Sequence, residues 1–362
     1  MDRVRIGLIG AGLIGAAHST TLKAIAEQGD GKLELVAVAD PIAEQRAHFQ
    51  ERYGYRQAFA SAGELLRADV NAVFICTPTR FHAELVHAAA ARKLHIFCEK
   101  PLAMSYAEAV AMHEAVRRAG VITQIGLVLR FSAIYQVMQA QLAQPEMGAP
   151  MAVLFRDDQC FPIRGGHNTT WRKDRALTAG GTLIEHGVHD LDLVTVLFGP
   201  IARLRAWQQN RAGHPGVEDY MAVEIEFVSG LRAQLVNFWH DMVERNSNRR
   251  LEIFCERGFL ASDHDGLGDI IVQIGDGPEG RISPDEVLQR FERLLDRRDH
   301  RFRAWYGIPY LLQDLSFVES LLADRPASPD IGVGVEAQRL AAAVYHAAHT
   351  GEEVQVPQWA PE

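Results

Sequence analysis

The sequence predicts an α/β protein in two parts: a doubly wound parallel sheet over residues 1–126, then an α+β domain over 127–362 with a large, mostly antiparallel open sheet. Three observations predict it. From Val4 to about Gln124, short apolar runs alternate with longer helical stretches, the rhythm of βαβ units. The first run enters a Gly-rich turn that opens directly into a helix. After Gly126 the rhythm changes to successive strands joined by Gly-containing turns. At 362 residues the chain also exceeds the size at which one hydrophobic core keeps growing.

In chain order, Val4–Ile9, Leu33–Ala39, Ala72–Cys76, His95–Cys98 and Val121–Gly126 are apolar enough for central parallel strands, which are buried on both faces. Helices are predicted at Leu13–Gln28, Pro41–Tyr53, Ser61–Arg67, Ala83–Ala91 and Ser105–Ala119. Ser105 with Glu108 three residues later reads as a capping box. A helix over Ala133–Leu142 and a turn over Gln144–Pro150 lead to a strand from Met151. Further strands are expected at Ile201–Gln208, Tyr220–Val228, Arg232–Trp239, Leu251–Glu256, Gly258–Ser262 and Asp269–Ile274. The charged stretch from Asp276 to Phe302 has no pattern that assigns it. Pro309–Ala323 and Val333–Thr350 are helical, the latter expected to pack back on the N-terminal domain, and Gly351–Val356 suits a last short strand.

The formal net charge is −9, and no Lys/Arg run or basic stripe tracks a phosphate backbone, so nucleic acid is excluded as a partner. No stretch reaches the apolar length of a membrane span. The start, Val4 to Ala17, lacks the charged lead and cleavage site of a signal peptide. Cys76, Cys98, Cys160 and Cys255 form no CxxC pair, which argues against disulfides or a cysteine zinc site and fits a reducing cytoplasm.

Gly10-Ala11-Gly12-Leu13-Ile14-Gly15 sits between a strand and a helix, the context that gives GxGxxG its meaning. Gly10 allows the tight turn, Gly12 lets the backbone approach a pyrophosphate, and Gly15 permits close helix–strand packing. The helix start then offers N–H groups and a positive dipole end to phosphates. This is the Rossmann arrangement. Asp40 ends the second strand, somewhat beyond the ~20-residue spacing of the acidic ribose ligand. A carboxylate there accepts from ribose hydroxyls and repels a 2′-phosphate, favouring NAD over NADP, although Arg46 is near in sequence.

The third strand ends in Cys76-Thr77-Pro78-Thr79 with His82 following, and the fourth in Cys98-Glu99-Lys100-Pro101-Leu102. Later comes Gly180-Gly181-Thr182-Leu183-Ile184-Glu185-His186-Gly187-Val188-His189-Asp190-Leu191-Asp192. With these segments the chain resembles the Gfo/Idh/MocA oxidoreductases, the family of glucose–fructose oxidoreductase and inositol dehydrogenase, over nearly its whole length. The resemblance implies that Gly10, Gly12, Leu13, Ile14, Asp40, Thr77, Pro78, His82, Glu99 and Lys100 serve the cofactor, and that Lys100 also faces substrate. It implies that His189 is the catalytic histidine and Glu185 the acid one turn before it. It also implies a homodimer or homotetramer paired through the open sheet face.

Read from the residues, Lys100 directly follows an apolar strand at the carboxyl end of a sheet, where ligands of such sheets bind. From Thr182 a helix is expected with Ile184, Val188, Leu191 and Phe198 toward the core and Glu185, His189 and Asp192 in one polar stripe. A solvated face reads the same way. Glu185 and His189 also have the i, i+4 spacing of metal ligands, but no third ligand presents itself, so no metal is expected. Arg164-Gly165-Gly166-His167-Asn168-Thr169-Thr170-Trp171-Arg172 mixes glycine, hydrogen-bonding groups and an aromatic ring, a composition suited to polyhydroxylated ligands. An ordinary surface loop with Trp171 in the core reads the same way; the resemblance, in which the matching tryptophan–arginine pair lies near cofactor and substrate, implies Arg172, and Asn168, Glu185 and His189 join it as candidates for substrate contact. His186, His240, Tyr306 and Tyr310 read more readily as structural.

The expected chemistry is oxidation of a substrate hydroxyl with NAD. His189, with an ordinary imidazole pKa of about 6.5, takes the proton as the hydride leaves, and Lys100 stabilises the developing negative charge on the oxygen. Glu185 orients the imidazole or binds an adjacent hydroxyl. Two alternatives remain open at this stage: a glycosidase or lyase using tightly held NAD for transient oxidation, and a non-catalytic NAD-binding regulator.

Overall fold

The computed structural model describes residues 1–165, 168–295 and 301–357. It divides into two compact units, residues 1–127 with 301–303 and 310–338, and residues 128–300 with 304–309 and 339–362. The segment 310–338, which the sequence pattern puts in the second domain, therefore belongs with the first unit.

The first unit runs β1 (Val4–Ile9), α1 (Leu13–Gln28), β2 (Leu33–Ala39), α2 (Ala43–Tyr53), β3 (Gln57–Phe59), α3 (Ala62–Leu65), β4 (Ala72–Ile75), α4 (His82–Ala91), β5 (His95–Cys98), α5 (Tyr106–Ala119) and β6 (Thr123–Ile125). The sheet order is β3-β2-β1-β4-β5-β6, with every pair parallel. The direction of winding reverses between β1 and β4, and the loops that leave the carboxyl ends of the strands around that point form the binding edge of such sheets. Strand β3 escapes the sequence pattern because it is three residues long, with Gln57 exposed and its neighbours only half-buried. The capping box forms at Ser61–Glu64. At Ser105 only half of one forms: its hydroxyl accepts from the Glu108 N–H, while the Glu108 carboxylate turns to the Met104 N–H.

The second unit holds α6 (Ala133–Leu142), β7 (Pro150–Cys160), α7 (Val188–Phe198), β8 (Ile201–Gln209), β9 (Tyr220–Phe227), β10 (Arg232–His240), β11 (Asn248–Cys255), β12 (Gly258–Ser262), β13 (Ile270–Ile274), β14 (Gly280–Ile282) and α8 (Pro284–Leu295). After these come α9 (Pro309–Leu322), which is counted with the first unit from Tyr310, α10 (Ile331–Thr350), whose first turns are also counted there, and β15 (Val354–Gln355). Thus the unassigned charged stretch contributes β14 and α8, and its residues 296–300 lie outside the described residues.

The second sheet has the order β14-β13-β12-β11-β7-β10-β9-β8-β15, antiparallel throughout except for the parallel pair β7–β10. One face is core, with Val153, Phe155, Ile225, Leu235, Ile253 and Leu260 buried. The other face exposes Leu154, Trp207 and Phe254, the alternation of a half-buried antiparallel sheet. Among the described residues no helix is long and apolar enough to cross a membrane.

Candidate active site

In the first unit the site is assembled from loops that follow the strand ends. Gly10 has φ +101°, and a Cβ there would meet the Cys76 carbonyl oxygen at 2.7 Å, so the turn admits only glycine. Gly15 brings α1 against the Gly10 carbonyl in a place a side chain would fill. A Cβ on Gly12, by contrast, would meet nothing within 4 Å. Gly12 is the N-cap of α1, no side chain caps that helix start, and its first turn carries no acid. This is open space in front of N–H groups and a positive dipole end, which fits a dinucleotide pyrophosphate. Leu13 is 53% exposed beside it, and Ile14 is half-buried.

Asp40 ends β2 with its carboxylate already anchored. One oxygen accepts the Ala11 N–H and the other the Ile42 N–H, both at 2.9 Å, so it ties the Gly-rich turn to the next loop. Each oxygen retains a second lone pair for a ribose hydroxyl. Arg46 donates to the carbonyls of Asp40 and Pro41.

Thr77 and Pro78 are half-buried after β4. His82, expected at the cofactor, is buried, and its two ring nitrogens lie 2.9 Å from the carbonyl oxygens of Pro101 and Thr77. It joins the loop after β4 to the loop after β5, shaping the edge from within. Glu99 is likewise buried rather than presented to a ligand, and it accepts the Lys100 N–H at 3.0 Å. Lys100 follows, half-buried, with a cis peptide bond to Pro101.

In the second unit the site is held by side chains. Thr169 is fixed by the Pro162 carbonyl, which accepts both its N–H and its hydroxyl. Arg172 donates to the Thr169 hydroxyl oxygen at 2.7 Å and to Glu185 at 3.0 Å, with its guanidinium 4.6 Å over the Trp171 ring, a cation–π arrangement. The other Glu185 oxygen accepts from Thr178 at 2.5 Å. Glu185 is wholly buried, so the expected direct contact with substrate gives way to a place inside this network. Asn168 is exposed, with φ +40°. Gly166 and His167 of the same loop lie outside the described residues.

Glu218 shapes the start of the next segment by accepting the N–H groups of Gly181 and Leu183 and the Tyr345 hydroxyl. A side chain on Gly181 would collide with the Glu218 backbone. The expected α-helix from Thr182 is instead a π turn over Leu183–Gly187, and α7 proper begins at Val188. The wider turn breaks the 3.6-residue period, and the first turns of α7 are buried all round. The predicted polar stripe is therefore a set of separate anchors. Asp192 takes two bonds from Arg130, at 2.6 and 2.8 Å, and Asp190 accepts from Asn237 and Arg249. Phe198, expected toward the core, is only half-buried. His186 accepts the Trp239 Nε1–H at 2.8 Å and so packs against β10. His189 stands on the first turn of α7, 6% exposed.

Arg249 reaches the carboxyl groups of Asp190, Asp157 and Asp265. Burial pushes the Asp157 carboxyl up to about 8 against the pull of Arg249, with the charge of Asp190 adding to the rise. Burial likewise raises Asp192 despite Arg130. Tyr306 is buried edge-on to Phe291, His240 accepts the Met242 N–H, and Tyr310 packs on His18. Among the described residues no group of three or more His, Cys, Asp and Glu is placed to hold a metal. Sequence reasoning missed Arg130, Thr178, Glu218 and Arg249, whose partners are mostly distant in sequence. Arg130 stands out as a charge between apolar neighbours, whereas Arg249 and Glu218 sit in polar stretches and carry no such signal.

Residues 4–127 match the family described as "Oxidoreductase family, NAD-binding Rossmann fold" and residues 135–261 the "GFO/IDH/MocA C-terminal domain". The chain is 31% identical to 1,5-anhydro-D-fructose reductase of Ensifer adhaerens, over 72% of this chain and 74% of that one. It is 27% identical to myo-inositol 2-dehydrogenase of Thermotoga maritima, over 80% and 84%. A levoglucosan dehydrogenase solved in complex with NADH superposes with a TM-score of 0.85 at 20% identity, over 99% of this chain and 100% of that chain, which shows the common fold. With both domains matched, the chain belongs to the Gfo/Idh/MocA family of NAD-binding oxidoreductases.

Proposed function

We propose that the chain is an NAD-dependent dehydrogenase of a hydroxyl on a sugar, inositol or related polyol, with Lys100 and His189 as its catalytic residues. The observation that carries this reading is the fixing of His189: α7 is anchored on several sides by ion pairs, in a chain whose other unit is an NAD-binding fold. The bound nicotinamide supplies the hydride acceptor. His189 takes the hydroxyl proton, and the Lys100 ammonium stabilises the negative charge developing on that oxygen. Arg172, Thr178 and Glu185 form one hydrogen-bonded wall, with Arg172 and Asn168 serving a polyhydroxylated substrate and Glu185 holding Arg172 in place. Relatives named for an inositol and an anhydrosugar support that substrate class.

Gly10, Gly12, Leu13 and Ile14 cradle the pyrophosphate, Asp40 receives the ribose, and Thr77, Pro78 and Lys100 line the nicotinamide side. His82 and Glu99 support these loops. The engagement of Arg46 by two carbonyls supports NAD over NADP. The exposed Leu154, Trp207 and Phe254 on the second sheet support a homodimer or homotetramer, and four buried, free cysteines support a cytoplasmic setting.

The test is matched NAD and NADP reduction across inositols, aldoses, sugar acids and simple polyols. The expected result is NADH formation with one stereochemical group and a preference for NAD. Bound NAD with no reduction by any of them, together with cleavage of a glycoside, overturns the reading in favour of transient oxidation. Light scattering that finds a monomer overturns the assembly.

A further inference from the structure

A buried charged chain in the first unit is not used by the chemistry above. His18, on α1, is wholly buried. Its Nε2 lies 3.0 Å from Glu99 Oε1, and its Nδ1 lies 2.8 and 3.0 Å from the two oxygens of Asp314 on α9. The Thr21 hydroxyl also donates to Asp314. Aromatic rings line the imidazole as well: those of Phe74, Phe97 and Tyr310 stand 5.3, 4.9 and 5.7 Å from it. The other Glu99 oxygen accepts the Lys100 N–H at 3.0 Å. Gly126 leaves the room that the Glu99 carboxylate fills, since a Cβ there would collide with it.

An ionised carboxylate only accepts hydrogen bonds. An imidazole facing one at each nitrogen satisfies both by donating from both, as the imidazolium. Burial alone would strip that proton, but Asp314 and Glu99 together raise the His18 pKa to about 10. Other titratable groups around the imidazole and the two carboxylates include the thiols of Cys76 and Cys98, the Tyr55 hydroxyl and Tyr310, whose ring packs on His18, all of them neutral when protonated.

We propose that His18, held by Asp314, is a positioning residue for Lys100: it fixes the Glu99 carboxylate, whose second oxygen anchors the Lys100 backbone where β5 ends. A buried neutral residue in its place would leave Glu99 and Asp314 uncompensated and free to turn, and the lysine would lose its set point. Small misplacements of a group acting on the reacting oxygen are costly, since alignment supplies much of the rate. The kinetic part rests on the assignment of Lys100 above. The geometric part does not.

The chain has five lysines, at 23, 32, 93, 100 and 173, so selective ¹⁵N-lysine labelling yields five backbone amide signals, with Lys100 assigned through Lys100→Arg. Ring ¹⁵N shifts of labelled histidine, assigned through His18→Gln, follow the protonation of His18. In the wild type, both His18 nitrogens are expected to stay protonated to about pH 9. In His18→Gln the Lys100 amide is expected to shift and to exchange about tenfold faster, with the other four unmoved. NAD affinity should stay within about twofold while kcat falls by about tenfold or more. Titration of His18 near the ordinary ~6.5, or an unmoved Lys100 amide in the folded variant, overturns the proposal. If His18→Gln does not fold, Asp314→Asn keeps an acceptor for Nδ1–H while removing one charge. It should lower the His18 pKa, and an unchanged value overturns the proposal. The two NMR readouts need no substrate, so their failure is distinct from failure of the dehydrogenase reading.

Discussion

The two units position their candidate residues by different means. In the first, main chain does most of the work: a left-handed Gly10, an uncapped helix start, Asp40 accepting two amides, His82 between two carbonyls, and Glu99 on the Lys100 N–H. In the second, side chains hold side chains: Arg172 with Glu185, Arg130 with Asp192, and Arg249 with three carboxyl groups. Local backbone geometry does not itself titrate, and the buried network of His18 with Glu99 and Asp314 is the place where the first unit also relies on charge. Buried ion pairs depend on partners far apart in sequence and on protonation, and losing one member leaves an uncompensated charge.

The largest expected effect falls on one residue of each unit. Lys100→Ala and His189→Ala should each fold and bind NAD yet lose turnover by roughly 10²–10⁴-fold. Steady-state kinetics checks this, and unchanged turnover in either removes that residue from the chemistry. Next, Glu185→Ala leaves the Arg172 guanidinium without its carboxylate and should cost about 3 kcal/mol of stability, read by denaturant unfolding. Loss of less than about 1 kcal/mol would mean that the pair behaves as a surface one.

Asp40→Ala should weaken NAD binding by about tenfold, or roughly 1.4 kcal/mol, and narrow the gap between NAD and NADP. Titration with both cofactors shows whether the gap closes. The smallest effect is a pH slope. Burial pushes the Asp157 carboxyl of the folded chain up to about 8, against about 3.9 when unfolded. Its contribution to stability is therefore complete below about pH 4 and is lost as the pH rises through about 8. Between pH 5 and 9 the wild type should lose a few degrees of melting temperature relative to Asp157→Asn. A constant difference across that range would show that Asp157 is ionised throughout.

The same contrast explains what the sequence reveals. Gly10, Gly12 and Gly15 are legible because they act through local backbone geometry at fixed spacing, and Asp40 and Lys100 because each follows an apolar strand at the carboxyl end of the sheet. The alternation of the second sheet is legible for the same reason. The pairing of Asp190 with Arg249, 59 residues away, has no local signature, and neither does the π turn at Leu183–Gly187, since 3.6-residue periodicity assumes the ladder that the turn breaks. Glu185 and Asp192 look like one polar stripe until their separate partners, Arg172 and Arg130, are seen. His18 stands beside Ser19, Thr20 and Thr21 and Asp314 beside Gln313, so neither is singled out by its neighbours, and nothing local joins one to the other.

The most direct test of hydride transfer follows the transferred atom itself. A cyclic polyol or sugar that the protein oxidises is labelled with deuterium at the reacting carbinol carbon, and the cofactor is analysed by mass after turnover. Direct hydride transfer predicts reduced NAD carrying one deuteron per oxidised substrate. Reduced cofactor without deuterium, or product formed with no net reduced cofactor, contradicts it.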